Sequence, residues 1–220
     1  MTSQIIMMAG GTGGHLFPAL AVAKMLRDKG VTVSWLGSAG GMESRLIPEN
    51  GFAIDYLTIK GLRGNGVKGW LLLPFTLLRA ISQAFTILRR RQPQLVIGMG
   101  GFASGPGGIA ARLLGLPLVI HEQNAIAGMT NRWLASVATE IFAAFPNTFA
   151  TALAAKVKCV GNPLRDDFIA IAPPEQRLQD RTTPLRILLV GGSLGAQALN
   201  QTLPAALAII TAASENNNVP

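Results

Sequence analysis

The sequence predicts an α/β protein built on a doubly wound parallel sheet, and three observations carry that expectation. Short, wholly apolar runs alternate with stretches of helical periodicity, the pattern of buried parallel strands and their crossover helices. Three of these runs empty into glycine clusters ahead of helix-like segments: IIMMAGGTGGH at 5–15, LVIGMGGFASGPGG at 95–108 and ILLVGGSLGA at 187–196. With 220 residues, 49% of them hydrophobic, the chain can bury a sheet on both faces.

Taken in order, the apolar runs predict strands at 5–9, 31–36, 54–57, 95–98, 118–121, 141–144, 157–160 and 187–190. A helix is expected over 18–29, stopped by Gly30, and another over 104–114, stopped by Gly115 and Pro117. Between the third and fourth strands, Leu77, Leu78, Ile81, Phe85 and Leu88 fit one helical face that would pack on the sheet. Residues 161–184 are rich in Pro, charge and polar side chains, which marks a boundary. The organisation expected is a first α/β domain over 1–163, a linker over 164–184, and over 185–220 the first strand, glycine loop and helix of an incomplete second Rossmann-like domain. Too few residues follow Pro163 for a second full α/β domain. The helix of that second part, with Leu199, Leu203, Leu207 and Ile210, would need a domain to pack on.

A strand that ends in a glycine turn before a helix gathers backbone N–H groups and the positive end of a helix dipole around one point, which suits phosphate. Glycine at the end of a parallel strand also serves simply to turn the chain. Three such clusters in one chain favour a molecule that handles pyrophosphate groups. The first cluster does not fit a dinucleotide fingerprint, because Leu16 stands at the third glycine position and residues 35–38 offer no acid for a ribose. A nicotinamide-dependent oxidoreductase is disfavoured on that ground. Nor is it a Walker A loop, since His15 occupies the lysine position and no Ser or Thr follows.

One cysteine, Cys159, excludes an intramolecular disulfide and a cysteine metal cage, and its apolar run reads as a buried thiol. The chain start lacks the basic region and cleavage site of a secretory signal, so a reducing, cytoplasmic compartment is expected. The formal net charge of +8 is local. Between Tyr56 and His121 there is no Asp or Glu, while Lys60, Arg63, Lys68, Arg79, Arg89, Arg90, Arg91 and Arg112 supply the whole excess. Such a region calls for an anionic partner. Its apolar content favours a membrane surface: Trp70, Leu71, Leu72, Leu73 and Phe75 exceed what one helix face can bury, and the arginines rim them. An ordinary core helix with a solvated basic end is the plainer alternative. Pro74 and Arg79 interrupt the run before it reaches the roughly 20 residues of a spanning helix. No aromatic-plus-basic sheet motif of an RNA-binding kind appears, so no nucleic-acid partner is expected.

Two polar groups stand out against this apolar frame. His15, at the loop-to-helix junction of GGTGGHLFP, could hydrogen-bond an anionic oxygen, take a proton from a hydroxyl, or serve as a structural cap. HEQN at 121–124 follows LPLVI directly and reads either as a hydrogen-bonded loop scaffold or as a set of contacts to a sugar or phosphate.

Together, GGTGGHLFPALAVA, GLRG at 61–64, GMGGFASGPGGIAA, HEQNAIAGMTNRWLA, VGNPLR and GGSLGAQALNQ resemble, in order and spacing, the bacterial MurG-type N-acetylglucosaminyltransferases. The resemblance runs through nearly the whole chain and implies a two-domain GT-B fold. It implies inverting transfer of GlcNAc from UDP-GlcNAc to the 4-hydroxyl of MurNAc in undecaprenyl-diphosphate-MurNAc-pentapeptide (lipid I), giving lipid II for peptidoglycan. It further implies peripheral attachment at the cytoplasmic face of the inner membrane, with no required metal and no cofactor. By position, Thr12, Gly13, Gly14, Asn124, Arg165 and Ser193 match donor contacts. His15 matches the family histidine proposed for catalysis or acceptor diphosphate binding, and Glu122 falls at the acceptor site. Gly100, Gly101, Ser104, Gly105, Gly107 and Gly108 then suit the acceptor diphosphate, and Trp70, Leu71, Leu73, Phe75, Arg79, Arg89, Arg90 and Arg91 the anionic membrane. Phe102 stands where relatives often carry Tyr, and Leu194 where Gln is also common. The family's uracil pocket and ribose-binding acid fall beyond position 220. The chain by itself is therefore expected to have little or no transferase activity, the missing C-terminal half being either absent or a separate polypeptide. A non-catalytic membrane module binding polyprenyl-diphosphate lipid is the alternative.

Overall fold

The computed structural model describes residues 3–58, 66–179, 187–192 and 196–217, with the side chains of 66–71 and 214–217 outside that description. Seven parallel strands form one sheet: β1 (Gln4–Met8), β2 (Thr32–Ser38), β3 (Ala53–Leu57), β4 (Leu95–Gly98), β5 (Leu118–Glu122), β6 (Glu140–Ala143) and β7 (Val157–Cys159). Their order is β3-β2-β1-β4-β5-β6-β7, every neighbouring pair parallel. Each of the first seven expected strands is present within two residues of its expected ends. The chain winds outward in one direction from β1 and in the other from β4, so the crevice of this sheet opens beyond the carboxyl ends of those two strands. Met8 lies in register with Leu36 on one side and Gly98 on the other, which brings the turns after β1 and β4 together.

Alternation along each strand feeds two separate cores. Met7 and Trp35 point to one face, where α1 (Gly13–Asp28) and α2 (Glu43–Glu49) cover them with Leu16, Leu20 and Ile47. Ile6, Met8 and Leu36 point to the other, under α3 (Gly66–Arg91), α4 (Ser104–Leu113) and α5 (Met129–Leu134). Trp35 is fully buried, and its indole N–H donates to the Ala9 carbonyl at 3.0 Å, which satisfies the one polar atom it carries inside. Each large apolar side chain so buried contributes about 1.5–3 kcal/mol.

The face of α3 differs from the one expected. Ala80, Ala84 and Leu88 are buried, Leu77, Ile81 and Phe85 only partly, and Leu78 is 64% exposed. The reason is close packing between α3 and α4. The glycines and alanines of SGPGGIAARL leave room for another helix only where that helix also presents small side chains, so the alanines lead the interface.

Contact density divides the chain after Ile171. The first unit also contains a 3-10 turn over Thr151–Lys156 and the short helix α6 (Asp166–Ile169). The second unit, 172–220, contains α7 (Pro174–Leu178) and α8 (Gln197–Asn217). Residues 187–190, expected to form a strand, are irregular and exposed, with Leu188 at 86%. A strand is defined by its ladder, and among the described residues of this unit there is no second strand to supply one. No helix among the described residues is long and apolar enough to cross a membrane.

Candidate functional site

The turns after β1 and β4 meet in main-chain contact. Gly100 and Gly101 have φ of +98° and +89°, and a Cβ at Gly101 would collide with the Gly10 carbonyl. A Cβ at Gly100 would sit 2.9 Å from the His15 ring. These glycines are required because one backbone lies directly against another backbone and an imidazole. Met99 N–H donates to the Met8 carbonyl at 2.7 Å and closes the junction.

Above this junction α1 begins. Thr12 occupies its N-cap with extended backbone angles, but its exposed hydroxyl makes no capping hydrogen bond. Gly13 and Gly14 form the first turn, whose N–H groups have no intrahelical acceptors. His15, half-buried, directs Nδ1 at the Gln123 side-chain oxygen, 2.8 Å away. Phe17, one turn further on, covers Gly13 and lies 5.1 Å beneath the Arg165 guanidinium, which also stacks 4.9 Å from Phe168. The exposed Arg165, far along the chain, is thereby brought to the amino end of α1.

The HEQN segment divides its labour. Glu122 is fully buried at the end of β5, and each carboxylate oxygen accepts two hydrogen bonds. Oε1 takes the Asn124 backbone N–H at 3.0 Å and its side-chain amide at 2.8 Å; Oε2 takes the Gly128 N–H at 3.0 Å and the Asn131 amide at 2.9 Å. Burial alone would raise its pKa, but these four donors together outweigh desolvation and hold the carboxyl below its ordinary value. A carboxylate so enclosed holds a loop and does not meet a substrate, which differs from the acceptor-site placement expected of it. Asn124 is exposed, its amide nitrogen tied to Glu122 and its oxygen turned the other way. His121 is buried and its Nε2 meets the Gly161 carbonyl at 3.0 Å. Desolvation lowers its pKa, against the opposing pull of that carbonyl and of Glu122.

The second glycine cluster also splits. Gly100 and Gly101 face the junction, and Gly105 borders it beside Thr130. Ser104 is fully buried, its hydroxyl lying 2.8 Å from the Gly100 carbonyl and 3.1 Å from the Met8 carbonyl, so it braces the turn from below. Gly107 and Gly108, expected among the anion contacts, point into the core instead. A Cβ on Gly107 would strike the Met8 sulfur, and one on Gly108 would lie 2.6 Å from Leu134. Their lack of a side chain lets α4 lie close to the sheet.

Beside the junction opens a cavity of about 560 Å³ with almost wholly apolar walls. Leu73 and Leu77 of α3, Phe102 of the turn before α4, Pro106 of α4, and Met129 and Trp133 of α5 line it. Around it Leu72, Phe75, Met129 and Trp133 are each more than 60% exposed. Trp70 and Leu71 belong to α3, but their side chains lie outside the described residues, as do Ser193 and the GLRG motif. Arg79 and Arg89 are exposed. Arg90 and Arg91, by contrast, both pair with Asp55 of β3, at 2.7 and 2.8 Å. Fifteen residues of helix, about 22 Å, separate Phe75 from Arg90, so the basic triplet does not rim the apolar cluster. Among the described residues no group of His, Cys, Asp or Glu is placed to hold a metal ion.

One residue of this architecture escaped the sequence reading altogether. Glu43, fully buried at the start of α2, accepts from the Gly11 N–H at 3.3 Å, the Ser38 N–H at 3.0 Å and the Ser38 hydroxyl. Gly10, Gly37 and Gly41 crowd around its side chain. It shapes the first turn from a different element, and the only signal in the sequence was an acid following AGGM.

Residues 5–143 match the glycosyltransferase family 28 N-terminal domain. The chain belongs to family 28. Curated family 28 relatives named UDP-N-acetylglucosamine--N-acetylmuramyl-(pentapeptide) pyrophosphoryl-undecaprenol N-acetylglucosamine transferase include those of Vibrio parahaemolyticus, 53% identical over 93% of this chain, and Photorhabdus laumondii, 54% identical over 92%. The chain spans about half the length of these relatives, 56% of each. The crystal structure of Acinetobacter baumannii MurG is similar with a TM-score of 0.77 and 46% identity, over 93% of this chain and 57% of that one. The family 28 fold accounts for the seven-stranded sheet and for the crevice at which His15, the 100–101 turn and Arg165 lie.

Proposed function

We propose that this chain is the acceptor-binding half of an N-acetylglucosaminyltransferase that moves GlcNAc from UDP-GlcNAc to the MurNAc 4-hydroxyl of lipid I, making lipid II at the cytoplasmic face of the inner membrane. The observation that carries the reading is a juxtaposition. The 100–105 turn faces His15 on one side and contributes Phe102 and Gly105 to the apolar cavity on the other. A polar, amide-rich junction sharing a wall with an apolar cavity matches a ligand that joins a diphosphate to a hydrocarbon chain. The exposed cluster at Leu72, Phe75 and Trp133, with Arg79 nearby in sequence, would rest on the anionic membrane from which such a lipid is drawn.

In the reaction, the acceptor oxygen forms its bond to the anomeric carbon as the bond from that carbon to the UDP oxygen breaks, and the electron pair leaves with the diphosphate. The hydroxyl proton passes to His15 Nε2, the ring nitrogen not engaged by Gln123. The first-turn N–H groups at Gly13 and Gly14, with the Arg165 guanidinium, supply positive charge for the departing diphosphate. Asn124 offers its amide oxygen to a sugar hydroxyl. Ser193 matches a donor contact by the family resemblance alone.

The test is a titration of the chain with a short-prenyl lipid I analogue, followed by amide chemical shifts and calorimetry. Saturable binding that perturbs Gly100, Gly101 and His15, weakened at least tenfold in Gly100→Val, is expected. Absence of binding, or binding unchanged in that variant, overturns the reading. Adding UDP-GlcNAc is expected to give little or no product with this chain, and turnover matching a complete relative would overturn the assignment of a half-enzyme.

A further inference from the structure

We infer that Gln123 and His121 are positioning residues that fix which tautomer the neutral His15 ring adopts, with the proton on Nδ1 and a bare lone pair on Nε2. The inference rests on the transferase reading only for its purpose; the lock itself follows from hydrogen-bond logic. Two backbone carbonyls, which can only accept, fix every proton in the chain of contacts. The Gly161 carbonyl lies 3.0 Å from His121 Nε2, so that nitrogen carries a hydrogen. His121 is buried with its pKa lowered, and in the neutral ring the other nitrogen, Nδ1, must then accept. Gln123 Nε2 donates to it at 3.1 Å, and the same nitrogen lies 3.3 Å from the His121 carbonyl, a second acceptor-only partner. The amide therefore has its nitrogen toward His121 and its oxygen toward His15. That oxygen accepts from His15 Nδ1 at 2.8 Å, so in the neutral ring the lone pair lies on Nε2.

The consequence decides between two roles for His15. A neutral ring locked this way accepts a hydrogen bond from a hydroxyl and cannot donate one to a phosphate oxygen. It is set up for the acceptor hydroxyl, not the diphosphate. No other side chain fills the place of Gln123: Asn is too short to span both rings, Leu bonds neither, and Glu accepts from His15 but gives nothing to His121. The relay is also anchored against drift, because Asn162 donates to the Gln123 carbonyl at 3.1 Å and Gln123 itself is buried.

The chain has only two histidines, so a long-range proton–nitrogen correlation spectrum of the imidazoles, recorded at mildly alkaline pH, contains two rings. Expected are His15 protonated on Nδ1 and His121 protonated on Nε2. In Gln123→Leu, His15 should move to a mixture dominated by the Nε2–H form. In Gln123→Glu it should keep the Nδ1–H form, a rescue that bulk alone does not give. In His121→Phe the freed amide can turn, and His15 should lose its exclusive tautomer although it does not touch residue 121. The Nε2–H form of His121, held by the Gly161 carbonyl and retained in the Gln123 variants, reports that the fold is intact. A wild-type His15 protonated on Nε2, or one whose tautomer ignores all three changes, overturns the lock. Because no substrate is used, a lock that holds in a chain that fails to bind the prenyl-diphosphate analogue would sink the transferase reading alone.

Discussion

The two glycine-rich turns at the crevice are alike in composition and differ in how far their glycines are open to a ligand. Around residues 10–14, Gly11 and Gly14 lie at an open surface: nothing comes within 4 Å of a Cβ placed on Gly11, and only the Thr12 hydroxyl approaches one on Gly14, whereas Gly10 and Gly13 meet the Glu43 and Phe17 side chains. Around 98–108, Gly101 is packed against main chain, Gly107 against Met8 and Gly108 against Leu134. The first turn spends Gly11 and Gly14 on access, and the second Gly101, Gly107 and Gly108 on close approach. A glycine count therefore says little about ligand binding until the direction of each missing Cβ is known.

Substitutions at these positions measure the contrast. The largest effect is expected from Gly101→Ala, where a left-handed backbone and a main-chain collision combine to cost about 4 kcal/mol, read as a fall in the urea midpoint. Glu43→Ala should cost about 3 kcal/mol, since the Gly11 and Ser38 donors lose a buried acceptor. Its amide spectrum should show the 10–14 turn disordered while the 98–108 turn keeps its shifts. Gly107→Ala should cost about 2 kcal/mol by overpacking, and Met8→Ala in the same chain should recover part of it. If Gly107→Ala is neutral, the packed character of the second turn is wrong.

Acid probes the polar layer that joins the turns. His121 has a folded pKa below its unfolded value, so below about pH 6.5 the unfolded chain binds more protons and stability falls with pH. Glu122, also lowered, extends the fall below about pH 4.5 with the same sign. Urea midpoints across this range should decline in two steps, and His121→Phe should remove the upper one. The smallest change is expected in Gly14→Ala, a gain of about 0.5 kcal/mol from helix propensity in open space.

The central strands of the first unit were legible because a strand buried on both faces is a near-continuous apolar run. The glycine clusters located the crevice for the same reason. The edge strands β3 and β7, by contrast, are partly exposed, and the equally apolar run at 187–190 forms no strand. Less was legible where a decision depended on another element. Leu78 fits the apolar stripe of α3, yet Ala80 and Ala84 take the interface because α4 is built from small residues. Arg90 and Arg91 read as membrane charge until β3 places Asp55 beside them. Glu43 carries almost no sequence signal of its own, and Gln123 stood out only as part of HEQN, since an acid or amide acquires its role from partners 32 and 108 residues away.

The main-chain contact between Gly10 and Gly101 has one further consequence. Side chains can change rotamer and so vary the distance between two binding groups, but two backbones pressed together cannot. The separation between the amino end of α1 and the 100–101 turn is therefore a fixed gauge length, set by the peptide itself. Molecules that fit it must match that interval with their own covalent geometry, and substitutions at the surface can alter how tightly they are held without altering the measure.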